Sequence, residues 1–238
     1  MMSRSANTKA VFYDGFAAAW PICLGYFPIG MALGVLARQA GLTPLDIGLM
    51  SLLVFAGSAQ FIAVAMLAAG SSPGAIIATT FVVNFRHVLM SSALAVHLHG
   101  VSKRFLVLFA YGVTDESFAV NMARFRDGGW DRWRALVVHH TANSVWFVAT
   151  VTGCLVGSLI PEGAFGIDFA LPAMFLALLV LQLQSRIHIA TAIAAATVSV
   201  VCTLFLPGDS NAVIAAITAA SIGYMLQRRR SSCREDAA

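Results

Sequence analysis

The sequence predicts an all-α polytopic membrane protein, and three observations carry that prediction. Hydrophobic residues make up 59% of the 238 and charged residues only 11%, under half the roughly 25% that clothes a water-facing domain. Mean hydropathy is +0.81. The apolar residues gather into runs near the length, about 20 residues, that a helix needs to cross a bilayer.

Those runs fall at 16–37, 47–69, 74–97, 105–123, 135–160, 169–184, 187–206 and 211–227. Eight transmembrane helices is the count they favour, with seven as the alternative. The sixth and eighth runs are short, and the tight Gln184-Ser185-Arg186 turn allows 169–206 to form a hairpin that does not fully cross. The first run, Phe16 to Ala37, exceeds the about 7–15 apolar residues of a signal-peptide core and reads as a retained span. It contains Pro21, Gly25, Pro28 and Gly30. A proline inside a helix removes a backbone donor and clashes with the preceding turn, so a kinked or broken first helix is expected. Residues 1–15 form a cytoplasmic segment, 16–227 the transmembrane domain and 228–238 a basic cytoplasmic tail.

Threading eight spans from an inside N-terminus puts Arg4, Lys9, Arg124, Arg126, Arg132, Arg134, Arg186, Arg228, Arg229, Arg230 and Arg234 inside, against Arg38, Lys103 and Arg104 outside. That bias places both termini in the cytoplasm. The net charge of +4 therefore reads as topology signals and contacts for anionic lipid, with no nucleic-acid partner. Cys23, Cys154, Cys202 and Cys233 show no CxxC spacing, and the first three lie in apolar segments as packing residues. His97 and His99 have no carboxylate or thiolate beside them to complete a metal site. No P-loop, Rossmann, HExxH or GxSxG pattern is present, so neither an enzyme nor a bound cofactor is expected.

Polar groups inside the spans are what exclude an inert anchor. Each costs about 2.5–3.5 kcal/mol when charged and central, so such groups face a bundle interior or a cavity. FAGSAQF at 55–61 places Gln60 at depth beside Gly57 and Ser58. Gln60 either hydrogen-bonds a neighbouring helix or points into a cavity. NFRHVLMSS at 84–92 aligns Asn84, His87 and Ser91 on one helical face, with Arg86 about 100° from His87. Arg86 is either half of a structural ion pair or a cation awaiting a carboxylate. YGVTDESFAV supplies Asp115 and Glu116, of which one can pair with Arg86 while the other faces water and carries a proton. His139, His140, Thr141, Asn143 and Ser144 form a weaker polar group at the start of the fifth span.

Taken together, PICLGYFPIGMALGVLA at 21–37, LMSLLVFAGSAQF at 49–61, VVNFRHVLMSSAL at 82–94 and TDESFAV at 114–120 resemble the AzlC family, over residues 10–227. Ile22 and Cys23 depart from the leucine- or glycine-rich stretch more usual there. The resemblance implies a multi-pass protein of the bacterial inner membrane that exports branched-chain amino acids, driven by an ion gradient and working with a small AzlD-type membrane subunit. It implies substrate binding by Gly57, Ser58, Gln60, Phe61, Asn84, Arg86 and His87, and ion coupling by Asp115 and Glu116. A transporter or channel for another small solute, a cation or an organic acid, is the alternative.

A zwitterionic substrate needs a cation or helix N-terminus for its carboxylate, an acid or carbonyls for its ammonium, and an apolar pocket. Arg86 or a broken first helix is expected to meet the carboxylate, and Asp115 or Glu116 the ammonium. Gly57, Phe61 and neighbouring apolar side chains are expected to shape the pocket.

Overall fold

The computed structural model describes the backbone of residues 8–160 and 186–205, and at single positions residues 166, 169, 172, 173, 176, 179, 180, 183, 218, 221–223 and 225. Among them every element is helical. By internal packing the chain divides into two units, 1–72 with 83–171 and 73–82 with 172–238. All the site residues expected from the sequence lie in the first. The second contains α8 (Arg186–Phe205), matching the expected run 187–206. The expected runs 169–184 and 211–227 and the basic tail lie largely or wholly outside the described residues.

Among the described residues, three helices are long and apolar enough to cross a membrane: α1 (Thr8–Gln39), α4 (Pro73–Ala95) and α7 (Arg132–Val156), the last extended by a 3₁₀ turn to Leu159. They match the first, third and fifth apolar runs. α1 is continuous for 32 residues through both prolines, so of the kinked or broken first helix that was expected, the break is not there. Pro21 and Pro28 lie on its exposed side with Leu24 and Phe27, while Ile22, Cys23, Tyr26, Gly30, Leu33 and Gly34 are buried on the other. The buried side is clamped along α7, and that packing holds the helix together where the prolines remove hydrogen bonds.

The clamp depends on small residues. A Cβ on Gly34 would stand 2.1 Å from the Thr150 carbonyl oxygen, and one on Gly153 would stand 2.2 Å from that of Met31. Gly30 likewise lies against Ala149, and Gly15 against Arg134 and Val137. Backbones this close gain dispersion contacts that side chains would prevent. The contacts advance together along both helices, so α1 and α7 run parallel.

The second and fourth runs are not single helices. In the second, α2 (Pro44–Leu53) stops at Val54–Ala56 and α3 (Gly57–Ala68) follows. Gln60 Nε2 donates to Ser51 Oγ at 3.0 Å. Nine residues of uninterrupted helix would separate the two positions by about 13 Å along the axis, so α3 doubles back. In the fourth, α5 (Lys103–Tyr111) and α6 (Asp115–Asp127) meet at Gly112–Thr114. The Phe105 ring lies 5.1 Å from Trp133 and the Phe109 ring 4.6 Å from His139, so α5 advances along α7. Ser117 then hydrogen-bonds His139 at 2.9 Å and Asn121 the Ala135 carbonyl at 3.4 Å, so α6 retreats.

Both are helical hairpins with arms of 9 to 13 residues. Such arms are about 14–20 Å long, short of the roughly 30 Å hydrocarbon layer. The expectation that 47–69 and 105–123 each cross is corrected accordingly. Hydropathy measures how apolar a run is and carries no signal of reversal.

The hairpins enter from opposite ends of α7. Leu42, just before α2, accepts from Cys154 Sγ (3.7 Å), whereas α5 begins beside Trp133. Their tips meet: the Tyr111 hydroxyl donates to the Leu52 carbonyl, and the Tyr111 and Phe55 rings are 6.1 Å apart. The end of α4 packs with α5 and α7 through Leu94, Leu98, Phe109, Val113 and Ala135.

Gly153→Leu should lower the unfolding midpoint in detergent by an amount equivalent to roughly 3 kcal/mol or more, because backbone rather than a yielding side chain opposes the new atoms. Lys103→Cys and Arg126→Cys, introduced singly into a chain without its native cysteines, should react with an impermeant maleimide from the same face of the membrane. Labelling from opposite faces rejects the α5–α6 hairpin.

Candidate functional site

The site forms where the two hairpin tips meet α4. The N-termini of α3 and α6 converge there because each hairpin reverses at mid-course, and each N-terminus concentrates unpaired N–H groups and partial positive charge. α6 is capped in full. The Thr114 hydroxyl accepts from the Ser117 backbone N–H, and Ser117 Oγ accepts from the Thr114 N–H at 2.9 Å. Asp115 and Glu116 follow directly, where the helix dipole favours carboxylates. α3 begins at Gly57 after Ala56, which supplies no side-chain cap, and Phe55 is held at φ +36°.

Arg86 joins the tips. Its Nη1 forms an ion pair with Asp115 Oδ2 at 2.9 Å, and its Nη2 donates to Ser58 Oγ. The two charged side chains keep 29% and 24% of their surface, so the pair is neither dry nor freely solvated. Arg86 Nε is buried and has no hydrogen-bond partner. A donor is thus left open beside the ion pair. Asn84 Oδ1, about 200° from Arg86 round α4, is likewise buried without a partner.

Glu116 is held differently. Its Oε2 accepts from the Tyr26 hydroxyl at 2.6 Å, and that hydroxyl also lies 2.8 Å from Thr114 Oγ1. Asp115 therefore has the cation and Glu116 has neutral hydroxyls. His87 is half-buried within electrostatic reach of both Arg86 and Glu116. Tyr26 is itself fixed by Trp146, edge to face at 5.1 Å.

Other expected residues play structural parts. Gln60 is fully buried, donating to Ser51 and accepting from Trp146 Nε1 at 2.8 Å, while Ser51 bonds Thr150 at 2.9 Å. Both ends of its amide are used within the protein, so the reading of Gln60 as a helix-to-helix link is the one the geometry supports. Phe61 is buried core. Gly57 admits the Trp146 ring, 3.1 Å from where a Cβ would be. Pro21, Gly25 and Pro28 point away from the site, and Gly30 belongs to the α1–α7 seam.

Sequence reasoning missed Tyr26, Ser51, Ser117, Asn121, Trp146 and Thr150. One signal was available: Thr114 followed at the third position by Ser117, after Gly112, is a helix start placed inside an apolar run. A separate cleft of about 1080 Å³ opens near the start of α7, lined by residues including His97, His99, Trp130, Arg132 and Trp133. It does not include the Arg86 site.

The model of the AzlC protein family matches residues 21–160, which contain both hairpins, Arg86, Asp115 and Glu116. This chain belongs to the AzlC family. It is 31% identical to inner membrane protein YgaZ of Escherichia coli (strain K12), over 76% of this chain and 77% of that one. It is 27% identical to the branched-chain amino acid transport protein AzlC of Bacillus subtilis (strain 168), over 92% and 85%. An uncharacterized membrane protein of Archaeoglobus fulgidus is 33% identical over 82% and 86%. No solved structure matches. As an AzlC-family member the chain is a helical membrane protein, and its working groups are to be sought among the family-matched hairpins.

Removing Arg86 alone (Arg86→Ala) strands Asp115 at depth and should cost about 2–3 kcal/mol, below the range for a fully buried pair because both groups keep some solvent. Arg86→Ala with Asp115→Ala should recover part of that loss. A double-mutant cycle on thermal unfolding measures the coupling, and strict additivity rejects it.

Proposed function

We propose that this chain exports branched-chain amino acids, valine, leucine or isoleucine, across the bacterial inner membrane, driven by a proton gradient. The observation that carries the reading is Arg86, set between two hairpin tips with Nε open and a second carboxylate, Glu116, beside its ion pair. The Bacillus relative named as a branched-chain amino acid transport protein supports the substrate class. A small AzlD-type membrane subunit is the expected partner, on the family resemblance.

In this reading Arg86 Nε and the open first turn of α3 receive the substrate carboxylate. Asp115 keeps Arg86 aligned when the site is empty. Glu116 receives either the substrate ammonium or a proton, since the hydrogen bond it accepts comes from the neutral Tyr26 hydroxyl. Mutually exclusive occupancy of one carboxylate by substrate and by a proton couples their movement in opposite directions. The hairpins, rooted at opposite ends of α7, supply a gate toward each face of the membrane, and separation of the Tyr111–Leu52 and Phe55–Tyr111 contacts opens the space between them.

The hairpins also revise the topology. With α1, α4 and α7 crossing from an inside N-terminus, Lys9, Lys103, Arg104, Arg124, Arg126, Arg132 and Arg134 face the cytoplasm and Arg38 faces out. Lys103 and Arg104, expected outside when the second run was taken to cross, move inside and strengthen the positive-inside bias.

Efflux of labelled valine from proteoliposomes, with and without an imposed pH gradient, tests the reading for the chain alone and with its small partner. Arg86→Ala, which removes a charged contact to substrate, and Asp115→Asn, which releases that arginine from its alignment, should each slow efflux by about tenfold or more. Glu116→Gln, which neither pairs with the ammonium nor takes up a proton, should slow valine efflux and abolish its response to the pH gradient. If the Arg86 and Asp115 variants insert normally and extrude valine at the wild-type rate, the assignment fails; efflux of a cation or organic acid instead favours the other transport class.

A further inference from the structure

His139 is one of the few fully buried polar side chains of α7, and the transport reading leaves it without a role. It touches every part of the α5–α6 hairpin. Its ring packs edge-on against Phe109 in α5, 4.6 Å between centroids, and its Cβ stands 2.5 Å from where a Cβ on Gly112 would be. Nδ1 lies 2.9 Å from Ser117 Oγ, and Nε2 lies 3.3 Å from Asn121 Nδ2, both in α6.

The donor inventory around Asn121 fixes the proton on His139. The Trp130 indole N–H can only donate, and it lies 3.0 Å from Asn121 Oδ1. The Ala135 carbonyl can only accept, and it lies 3.4 Å from Asn121 Nδ2. The amide is thereby oriented from two sides, and its remaining Nδ2 hydrogen points at His139 Nε2. Nε2 must accept, so the neutral ring carries its proton on Nδ1 and donates it to Ser117 Oγ.

Ser117 is also half of the capping box at the tip. It accepts from the Thr114 N–H and lies 3.2 Å from the Thr114 hydroxyl, which in turn lies 2.8 Å from the Tyr26 hydroxyl that bonds Glu116. The polar chain therefore runs from Trp130 through Asn121, His139, Ser117, Thr114 and Tyr26 to Glu116. A proton wire from the start of α7 is excluded by the same directions, since the amide of Asn121 occupies Nε2 as a donor and relays nothing.

We propose that His139 is a positioning residue: held as the neutral Nδ1–H tautomer by Asn121 and Trp130, it clamps the tip of the α5–α6 hairpin and so sets where Asp115 and Glu116 stand. What the clamp serves rests on the transport reading above; whether the clamp exists does not.

Two measurements without substrate test it. In ¹⁵N-histidine-labelled protein in liposomes, the signal that disappears in His139→Asn should be that of a neutral ring protonated at Nδ1. An imidazolium or an Nε2–H ring at neutral pH overturns the proposal. In hydrogen exchange, His139→Leu should raise exchange across 112–118 by about tenfold and leave the α1–α7 seam unchanged. His139→Asn, whose amide can donate from the place of Nδ1, should restore most of the protection. Equal exchange in wild type and His139→Leu, or no rescue by asparagine, overturns it as well. Should His139→Leu not insert, Asn121→Asp replaces the donor facing Nε2 with an acceptor and should move the ring proton to Nε2 or add one there; an unchanged ¹⁵N signature rejects the clamp. Valine efflux read on the same proteins separates the two ideas, because the tautomer can be present in a chain that moves no valine.

Discussion

A helix that stops in the middle of a membrane leaves N–H and C=O groups where no water can reach them, and everything around Arg86 follows from that constraint. In hydrocarbon each unsatisfied group costs several kcal/mol, so an interrupted helix survives only where the protein itself supplies partners. Two interruptions here face each other. A single guanidinium, with five N–H donors in a fixed fork, reaches Ser58 at the start of α3 and Asp115 at the start of α6 together. Lysine has the charge but lacks the fork, and a neutral side chain lacks the charge that Asp115 needs.

The two tips are not held equally. α6 carries a complete capping box, a Tyr26 hydroxyl shared between Thr114 and Glu116, and the His139 contacts behind it. α3 has no side-chain cap, and Phe55 before it adopts a left-handed backbone conformation that a bulky L residue avoids. Such conformations cost about 1–3 kcal/mol and persist when the surroundings over-determine them. Here the Phe55 ring is buried against Tyr111, and the Gln60 amide ties α3 back to Ser51 and across to Trp146. The α3 tip thus depends on its neighbours, while the α6 tip is largely self-sufficient.

Much of this was legible in the sequence. The helical membrane class followed from low charge content and the length of the apolar runs, and the three crossing-length helices among the described residues match the first, third and fifth of those runs. Arg86, Asp115 and Glu116 stood out because polar groups at depth are costly, Ser58 entered through the family motif, and the structure joins Ser58 and Asp115 through Arg86 with Glu116 next in the chain. The breaks were placed wrongly because proline was taken as the breaker. Pro21 and Pro28 face outward on a helix gripped along its other side, whereas the real reversals fall at Val54-Phe55-Ala56 and Gly112-Val113-Thr114, which are apolar and largely free of proline signals. Tyr26 was hidden for a related reason. One aromatic among many in a span carries no mark until the fold shows that its hydroxyl meets a carboxylate 90 positions on.

The adjacency of Asp115 and Glu116 then acquires a physical meaning. Neighbours on a helix point about 100° apart, so one position cannot serve both partners. Asp115 turns to α4 and its arginine, and Glu116 turns to α1 and its tyrosine. The pair divides one negative patch into a half that is neutralised by the protein and a half that only hydroxyls attend. A carboxylate with a fixed cation beside it has its counter-charge supplied by the protein, which suits it to keep Arg86 in place. A carboxylate attended by hydroxyls can exchange its counter-charge, and an exchangeable counter-charge is what any coupling of a cationic ammonium to a proton requires. The division needs both helices at once, because only the continuous α1, clamped to α7 through its glycines, carries Tyr26 to the α6 tip.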